Sequence, residues 1–229
     1  MVMSAALSVV IPTLNEAAHL PALLRELMAA RGLMISVIIS DGGSTDDTLV
    51  LAAKVGARIV TGASGRGGQL RRGIAAAEAP WILLLHADSS LLPGWDATLC
   101  QRLSTQHETC AYYGKLRFES EDPRARLLEF GVALRCALFR LPYGDQGLLI
   151  HSDLLAAVGG MPDAPLMEDV ILASRLGRKY LAPMNLTVRT DASAYIRDGW
   201  LLRAGKNLWR LLCFIAGRSA ARLAEDYRR

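Results

Sequence analysis

The sequence predicts an α/β domain, a mostly parallel sheet with helices on both faces. Apolar, β-rich runs alternate with helical patterns through the first half of the chain, the order that produces a parallel sheet. Those runs are close to uninterrupted, as in Ile82-Leu83-Leu84-Leu85, which suits strands covered on both sides. Glycines and polar residues cluster directly behind each run, where open α/β sheets bind ligands.

Strands are expected over residues 7–11, 34–40, Arg58–Thr61 and 81–85, with helical patterns over 17–30, 45–55 and 67–78 between them. Ser44-Thr45-Asp46-Asp47 has the form of a capping box opening the second helix. Pro93 suits the first turn of a helix after the fourth strand. The second half reads less regularly. A strand is expected over Ala111–Phe118, a helix over Pro123–Phe139, a buried strand over 146–150, a short helix from Ser152 that stops at Gly159-Gly160, and a helix over 168–176. The organisation that follows is a ligand-binding and catalytic domain over 1–196 and a basic amphipathic helical tail over 197–229.

Composition bounds the rest. With 229 residues, 52% apolar and 21% charged, the chain is long and apolar enough to bury a sizeable core, which excludes intrinsic disorder. No apolar run reaches the roughly eighteen residues of a membrane span, and residues 208–216 are interrupted by Arg210. Residues 1–11 lack a basic leader segment and read as the first core strand. The four cysteines are scattered with no CxxC pair, so no zinc site or disulfide framework is suggested and a reducing cytoplasm is the default compartment. The net charge of +4 is uneven: from Arg197 onward there are eight basic and three acidic residues, whereas the remainder is nearly balanced.

Four strand ends should converge on one crevice. Behind the first come Pro12, Thr13, Asn15 and Glu16; behind the second, Asp41-Gly42-Gly43-Ser44; behind the third, Gly62, Gly65, Arg66, Gly67 and Gly68; behind the fourth, His86-Ala87-Asp88. These groups suit a nucleoside diphosphate. Glycines admit phosphate close to the backbone and helix N-termini supply N–H donors. Arg66, Arg71 and Arg72 can add cationic contacts. Asp41 can accept from a base edge or ribose, and Asp88 can hold a divalent cation. Each element has a plainer alternative: glycines as turns, the arginines as a solvated helix face, His86 as a near-core histidine, Asp88 as a cap. No GxGxxG follows the first strand and no GxxxxGK[ST] occurs, against a dinucleotide dehydrogenase or a P-loop nucleotidase.

Five segments, in order, resemble glycosyltransferase family 2: Ser8 to Glu16, Ile38 to Thr48, Gly65 to Ala77, Leu84-Leu85-His86-Ala87-Asp88, and Met167-Glu168-Asp169-Val170 followed by Arg175-Leu176. The resemblance implies a GT-A, Rossmann-like fold and a nucleotide-sugar donor, a UDP-sugar before a GDP-sugar. It implies that Pro12, Thr13, Asn15, Glu16, Asp41, Arg66, Gly67, Arg71, Ala87 and Asp88 surround the nucleotide. It also implies that Asp88 binds a divalent cation, Mg²⁺ or Mn²⁺, with His86 as a candidate second ligand. Asp169 is then the general base of an inverting displacement onto a hydroxyl acceptor, with Glu168 either orienting Asp169 or contacting the acceptor. Asp41-Gly42 stands where the family has an acidic pair, and His86 where its acidic triplet begins. The Gln-x-x-Arg-Trp motif of processive members is absent, which favours a single transfer. The His-Ala-Asp form and Gly144-Asp145-Gln146 look most like a small bacterial subgroup linked to arsenosugar biosynthesis. Local sequence alone allows Glu168-Asp169 to be an acidic pair favoured by a helix dipole. It also leaves open a nucleotidyltransferase or a non-catalytic nucleotide-sugar-binding or scaffold protein.

In the tail, Arg203, Lys206, Asn207 and Arg210 recur at helical spacing against a wide apolar face. Such a helix can pack on the domain or on a second copy of the chain with a solvated basic stripe. It can instead lie on an anionic membrane, as a peripheral contact at the inner membrane surface. A nucleic-acid partner is not expected, because the basic residues are not spread over a groove-sized face.

Overall fold

The structure is a computed structural model and describes residues 5–104, 109–220 and 222–223. The end of the tail, 224–229, lies outside the described residues. Along the chain the strands are β1 (Ala5–Thr13), β2 (Leu33–Asp41), β3 (Arg58–Thr61), β4 (Trp81–Leu84), β5 (Ser89–Leu91), β6 (Ala111–Phe118), β7 (Leu148–His151) and β8 (Leu181–Thr190). The helices are α1 (Leu20–Met28), α2 (Thr48–Lys54), α3 (Arg66–Ala75), α4 (Trp95–Ser104), α5 (Pro123–Phe139), α6 (Ser152–Ala157), α7 (Glu168–Tyr180), α8 (Ser193–Asp198) and α9 (Trp200–Ile215). All strands join one sheet in the order β3-β2-β1-β4-β7-β6-β8-β5. The first four pair in parallel, β7 runs antiparallel between β4 and β6, and β8 pairs parallel with β6 and antiparallel with β5.

Successive strand residues point to opposite faces, and the core divides accordingly. Leu7, Val9 and Ile11 pack with Leu23 and Leu27 of α1 and Leu99 of α4 on one face. Val10, Ile38 and Ile82 pack with Leu70 of α3, Leu155 of α6 and Leu172 of α7 on the other. This is the α/β architecture expected, with helices on both faces. A third cluster, with Phe118, Ala125, Ala192 and Trp200 at its centre, holds α5, α8 and α9 against the β6 end of the sheet.

Several local expectations change. The 44–47 segment does not form the expected capping box on α2. The Ser44 hydroxyl donates to Asp41 instead, and Asp46 accepts from Thr48, the first residue of the helix. Pro93 precedes α4 rather than entering its first turn. The helix from Glu168 runs on to Tyr180, broken at Gly177 by a left-handed φ of 59°. Strands β5 and β8 were not expected. They matter because Ser89 pairs with Thr190, which fixes the residues after β4 against the far end of the sheet.

Candidate active site

At the ends of β1 and β2, Asp41 is 1% exposed and accepts four hydrogen bonds. The Thr13 and Ser44 hydroxyls donate to Oδ1 at 2.9 and 2.5 Å, and the Gly43 and Ser44 amides donate to Oδ2 at 2.7 and 2.8 Å. Burial alone would raise its pKa, but the bonds from Ser44, Gly43 and Thr13 outweigh it and hold the carboxyl below its ordinary value. Four donors match the acceptor capacity of a carboxylate, so Asp41 organises the loop behind β2 in this structure. Asn15 clasps the same loop. Its φ is 57°, its amide donates to Ser44 Oγ, and its Oδ1 accepts from the Thr45 amide. Glu16, half-buried, bonds His19. Burial raises its pKa and the His19 bond opposes that, with Asp88 and Asp46 adding repulsion.

Beyond these ends opens a cleft of about 490 Å³. Arg66 enters from the start of α3, His86 and Asp88 follow β4, and Tyr143-Gly144-Asp145 form a tight turn before β7. Asp169 comes from the start of α7, Thr190 and Asp191 from the end of β8, and Arg203, Asn207 and Arg210 from α9. Asp169 is held on both oxygens. The Gly144 amide donates to Oδ2 and the Val170 amide to Oδ1, each at 2.8 Å. Each carboxylate oxygen accepts about two bonds, so both keep capacity for a ligand hydroxyl. Gly144 also presses on His86: a Cβ there would lie 2.6 Å from His86 Nε2. Burial, then the charge of Arg66, pushes the His86 pKa well below its usual value, so the ring is neutral. Asp88 accepts from Thr190 Oγ1 at 3.3 Å; burial raises its pKa and Arg66 counters this.

Glu168, beside Asp169, is 1% exposed, and neither carboxyl oxygen has a hydrogen-bond partner. Its nearest cation is Arg66, whose Nε lies 3.6 Å from Oε1. Burial raises the Glu168 pKa to about 7, with Arg66 opposing and Asp169 adding to the rise. Asp145, facing the same cleft, is raised to about 6, first by burial; Arg135 opposes the rise and Asp169 adds to it.

Of the ten expected nucleotide-site residues, Arg66 and Asp88 line this cleft and the other eight do not. Arg71 pairs with Asp163 at 2.9 Å and lines a different cavity, beside Ile82 and Ser152. Its α3 position faces the outer side of the helix, away from Arg66. Ala87 is buried in the core. Pro12 sits within β1 opposite Ser40. Gly67 approaches protein backbone: its amide donates to Ala164 O, and a Cβ would fall 2.5 Å from the carbonyls of Pro162 and Ala164. Gly67→Ala should therefore displace the 162–164 segment ahead of α7 and lower stability by about 1–3 kcal/mol. Thermal unfolding checks this, and an unchanged melting temperature would show that the segment yields freely.

Sequence reasoning missed Tyr143, Thr190, Asp191, Tyr195 and the orientation of α9. The basic stripe was read as solvated or as lying on a membrane; Arg203, Asn207 and Arg210 form a wall of the cleft, with Arg203 bonded to Asp198 and Asn207 to Tyr195, while Lys206 is exposed. Within α9 only Trp200 and Leu211 are buried.

No group of three His, Cys, Asp or Glu side chains suited to a metal occurs among the described residues. A divalent cation held by one carboxylate and by substrate phosphates needs no such group. Asp88 fits that role, because its carboxylate opens onto the cleft and is bonded within the protein by Thr190 and its own backbone amide. Neutral His86 is a nitrogen donor on the same wall.

The sequence profile described as Glycosyl transferase family 2 matches residues 8–158, well over half of the chain. The match ends before Glu168 and Asp169. A PGL/p-HBAD biosynthesis glycosyltransferase of Mycobacterium bovis is 37% identical over 91 residues, covering 37% of this chain and 36% of that protein. The chain thus spans little more than a third of the length of that relative. The glucosyl-3-phosphoglycerate synthase of Mycobacterium tuberculosis, solved with Mn²⁺, UDP and glucosyl-3-phosphoglycerate, superposes with a TM-score of 0.58 at 26% identity. The superposition covers 80% of this chain and 70% of that one. The same synthase with Mn²⁺ and UDP-glucose gives 0.56 at 25% identity over the same shares. The curved, largely parallel sheet and the cleft beyond its strand ends are those of a GT-A glycosyltransferase, and the chain belongs to glycosyl transferase family 2.

Proposed function

We propose that this enzyme transfers one sugar from a UDP-sugar to a hydroxyl acceptor with inversion, and that Asp169 is the general base. The observation that carries this is the meeting of Asp169, Asp88, Arg66 and His86 in one cleft, although they come from three separate segments. The acceptor hydroxyl gives its proton to an Asp169 oxygen as its own oxygen bonds to the anomeric carbon. The bond from that carbon to the diphosphate breaks on the opposite face, and its electron pair leaves with the diphosphate. The two backbone amides keep the Asp169 carboxylate turned into the cleft. Arg66 places positive charge beside the leaving diphosphate. Asp88, with His86 as the available second ligand, would hold Mg²⁺ or Mn²⁺, which supplies charge neutralisation at the two phosphates.

Support for UDP and Mn²⁺ comes from the synthase structures, which contain both. The acceptor is a hydroxyl compound, and the resemblance to the arsenosugar-linked subgroup adds such compounds to the acceptors worth assaying.

A thermal-shift series with UDP- and GDP-sugars, with and without Mn²⁺, tests the donor. A UDP-sugar at a hundred times its dissociation constant should stabilise the protein by about 2.7 kcal/mol. Stabilisation by GDP-sugars alone would overturn the donor assignment. Retention of anomeric configuration in the product would overturn the displacement.

A further inference from the structure

Helix α9 is amphipathic in an unusual sense, because its polar side is the covered one. Arg203, Asn207 and Arg210 face the cleft, while Leu201, Leu202, Leu208, Trp209, Leu212 and Ile215 are each at least 50% exposed. At 100° per residue those six fall on one continuous face. Neighbouring α5 also exposes an apolar face. Ala125 and Cys136 are buried, while Phe130, Leu134 and Leu138 on the opposite side are exposed, Phe130 at 66%. The two helices share the third core cluster and contact each other. Together they present far more exposed apolar surface than scattered surface residues would.

The charges around this face select what covers it. Lys206 flanks it on α9, and exposed Arg218 and Arg222 follow that helix. Exposed Arg178 donates to Leu138 O at the C-terminal end of α5. Helix α9 contains no acidic residue. The one acid within α5, Glu129, has a side chain 11% exposed and is paired with Arg126 and Arg117. Two copies meeting through this face would bring like-charged rims together. Anionic headgroups would neutralise the same rim while the acyl region takes up the apolar side chains. No helix among the described residues is long and apolar enough to cross a membrane, so contact is parallel to the surface.

We propose that the exposed faces of α5 and α9 form a docking surface for an anionic lipid bilayer, with the cleft wall of α9 at the headgroup level. This deepens the transferase reading by naming the surface at which its acceptor is met, and it rests on that reading only for the cleft's role.

Trp209 supplies the test. It is 67% exposed, whereas Trp81, Trp95 and Trp200 are buried, so a blue shift in tryptophan emission on adding vesicles reports on this face. Co-sedimentation and emission are measured with phosphatidylcholine vesicles and with vesicles containing phosphatidylglycerol. Binding with a blue shift is expected for the phosphatidylglycerol vesicles at low salt, weakening as salt screens the headgroups. The double variant Leu201→Gln, Leu212→Gln should bind at least about tenfold more weakly, with unchanged melting and an unchanged thermal shift by UDP-sugar. The unchanged UDP-sugar shift separates failure of docking from failure of the donor assignment. No binding to phosphatidylglycerol vesicles would overturn the proposal. So would equal binding by the double variant, or a stable dimer in solution that this variant dissociates.

Discussion

Asp169→Asn is expected to lower kcat by about a hundred- to ten-thousand-fold while the protein stays folded. An amide cannot take up the acceptor's proton, and positioned acid–base groups are worth about that much. The Asn oxygen can still accept from one of the two amides that now hold the carboxylate, those of Gly144 and Val170. The stability cost should be on the order of 1 kcal/mol, one imperfect hydrogen bond. Single-turnover kinetics and thermal unfolding of the same preparation separate the two effects. A charged group that merely favours the start of α7 would show the reverse pattern, with turnover near normal and a small loss of stability. Turnover within a few-fold of wild type would remove Asp169 from the chemistry.

Glu168→Gln should flatten the dependence of stability on pH. In the folded protein the Glu168 carboxyl keeps its proton up to about 7, while the ordinary value is 4.5. Below 4.5 both states carry the proton. Between 4.5 and about 7 the unfolded chain releases it while the folded chain holds it, so folding stability declines as pH rises through this window. Above the window the ionised group has cost about 3 kcal/mol. The glutamine variant escapes that decline, so at pH 8 it should melt several degrees above wild type, and near pH 4 the two should converge. Asp145, raised to about 6, leaves a residual slope of the same sign in both proteins. Parallel melting curves across the pH range would show that Glu168 ionises normally. The same proton has a functional consequence. While Glu168 is neutral it does not cancel the charge of Arg66, 3.6 Å away, and that charge faces the cleft.

The parallel half of the sheet was readable because its signals are local. Near-continuous apolar runs at 34–40 and 81–85, each bounded by turn residues, read as strands, and the polar residues behind them mark the ligand end. β3 (Arg58–Thr61), β6 (Ala111–Phe118) and α5 (Pro123–Phe139) are found where the pattern put them. β8 was not legible, because Pro183 and Asn185 interrupt its pattern. Its existence depends on pairing with β6, about seventy residues earlier in the chain. Missing β8 meant missing Thr190 beside Asp88. Asp41, Asn15 and Gly67 were read as ligand contacts from residue type, which shows a group's bonding capacity but not which partners within the protein share it. Thr13, Ser44 and the backbone of 162–164 take up those capacities. Periodicity likewise grouped Arg203, Lys206, Asn207 and Arg210 on one face of α9, but it carries no information on which face meets the protein, and Lys206 stays exposed while the other three line the cleft. Trp200, stacked on Tyr195 and edge-on to Phe118, sets that rotation.

A chain cut after Thr190 would retain the whole sheet and the cleft carboxylates Asp88, Asp145 and Asp169, yet lose Asp191 and the wall that Arg203, Asn207 and Arg210 provide. One wall of the cleft thus stands in α9, outside residues 8–158 that match the family. Replacing the polar residues of this wall is therefore expected to change which acceptors the cleft admits while leaving Asp88 and Asp169 in place.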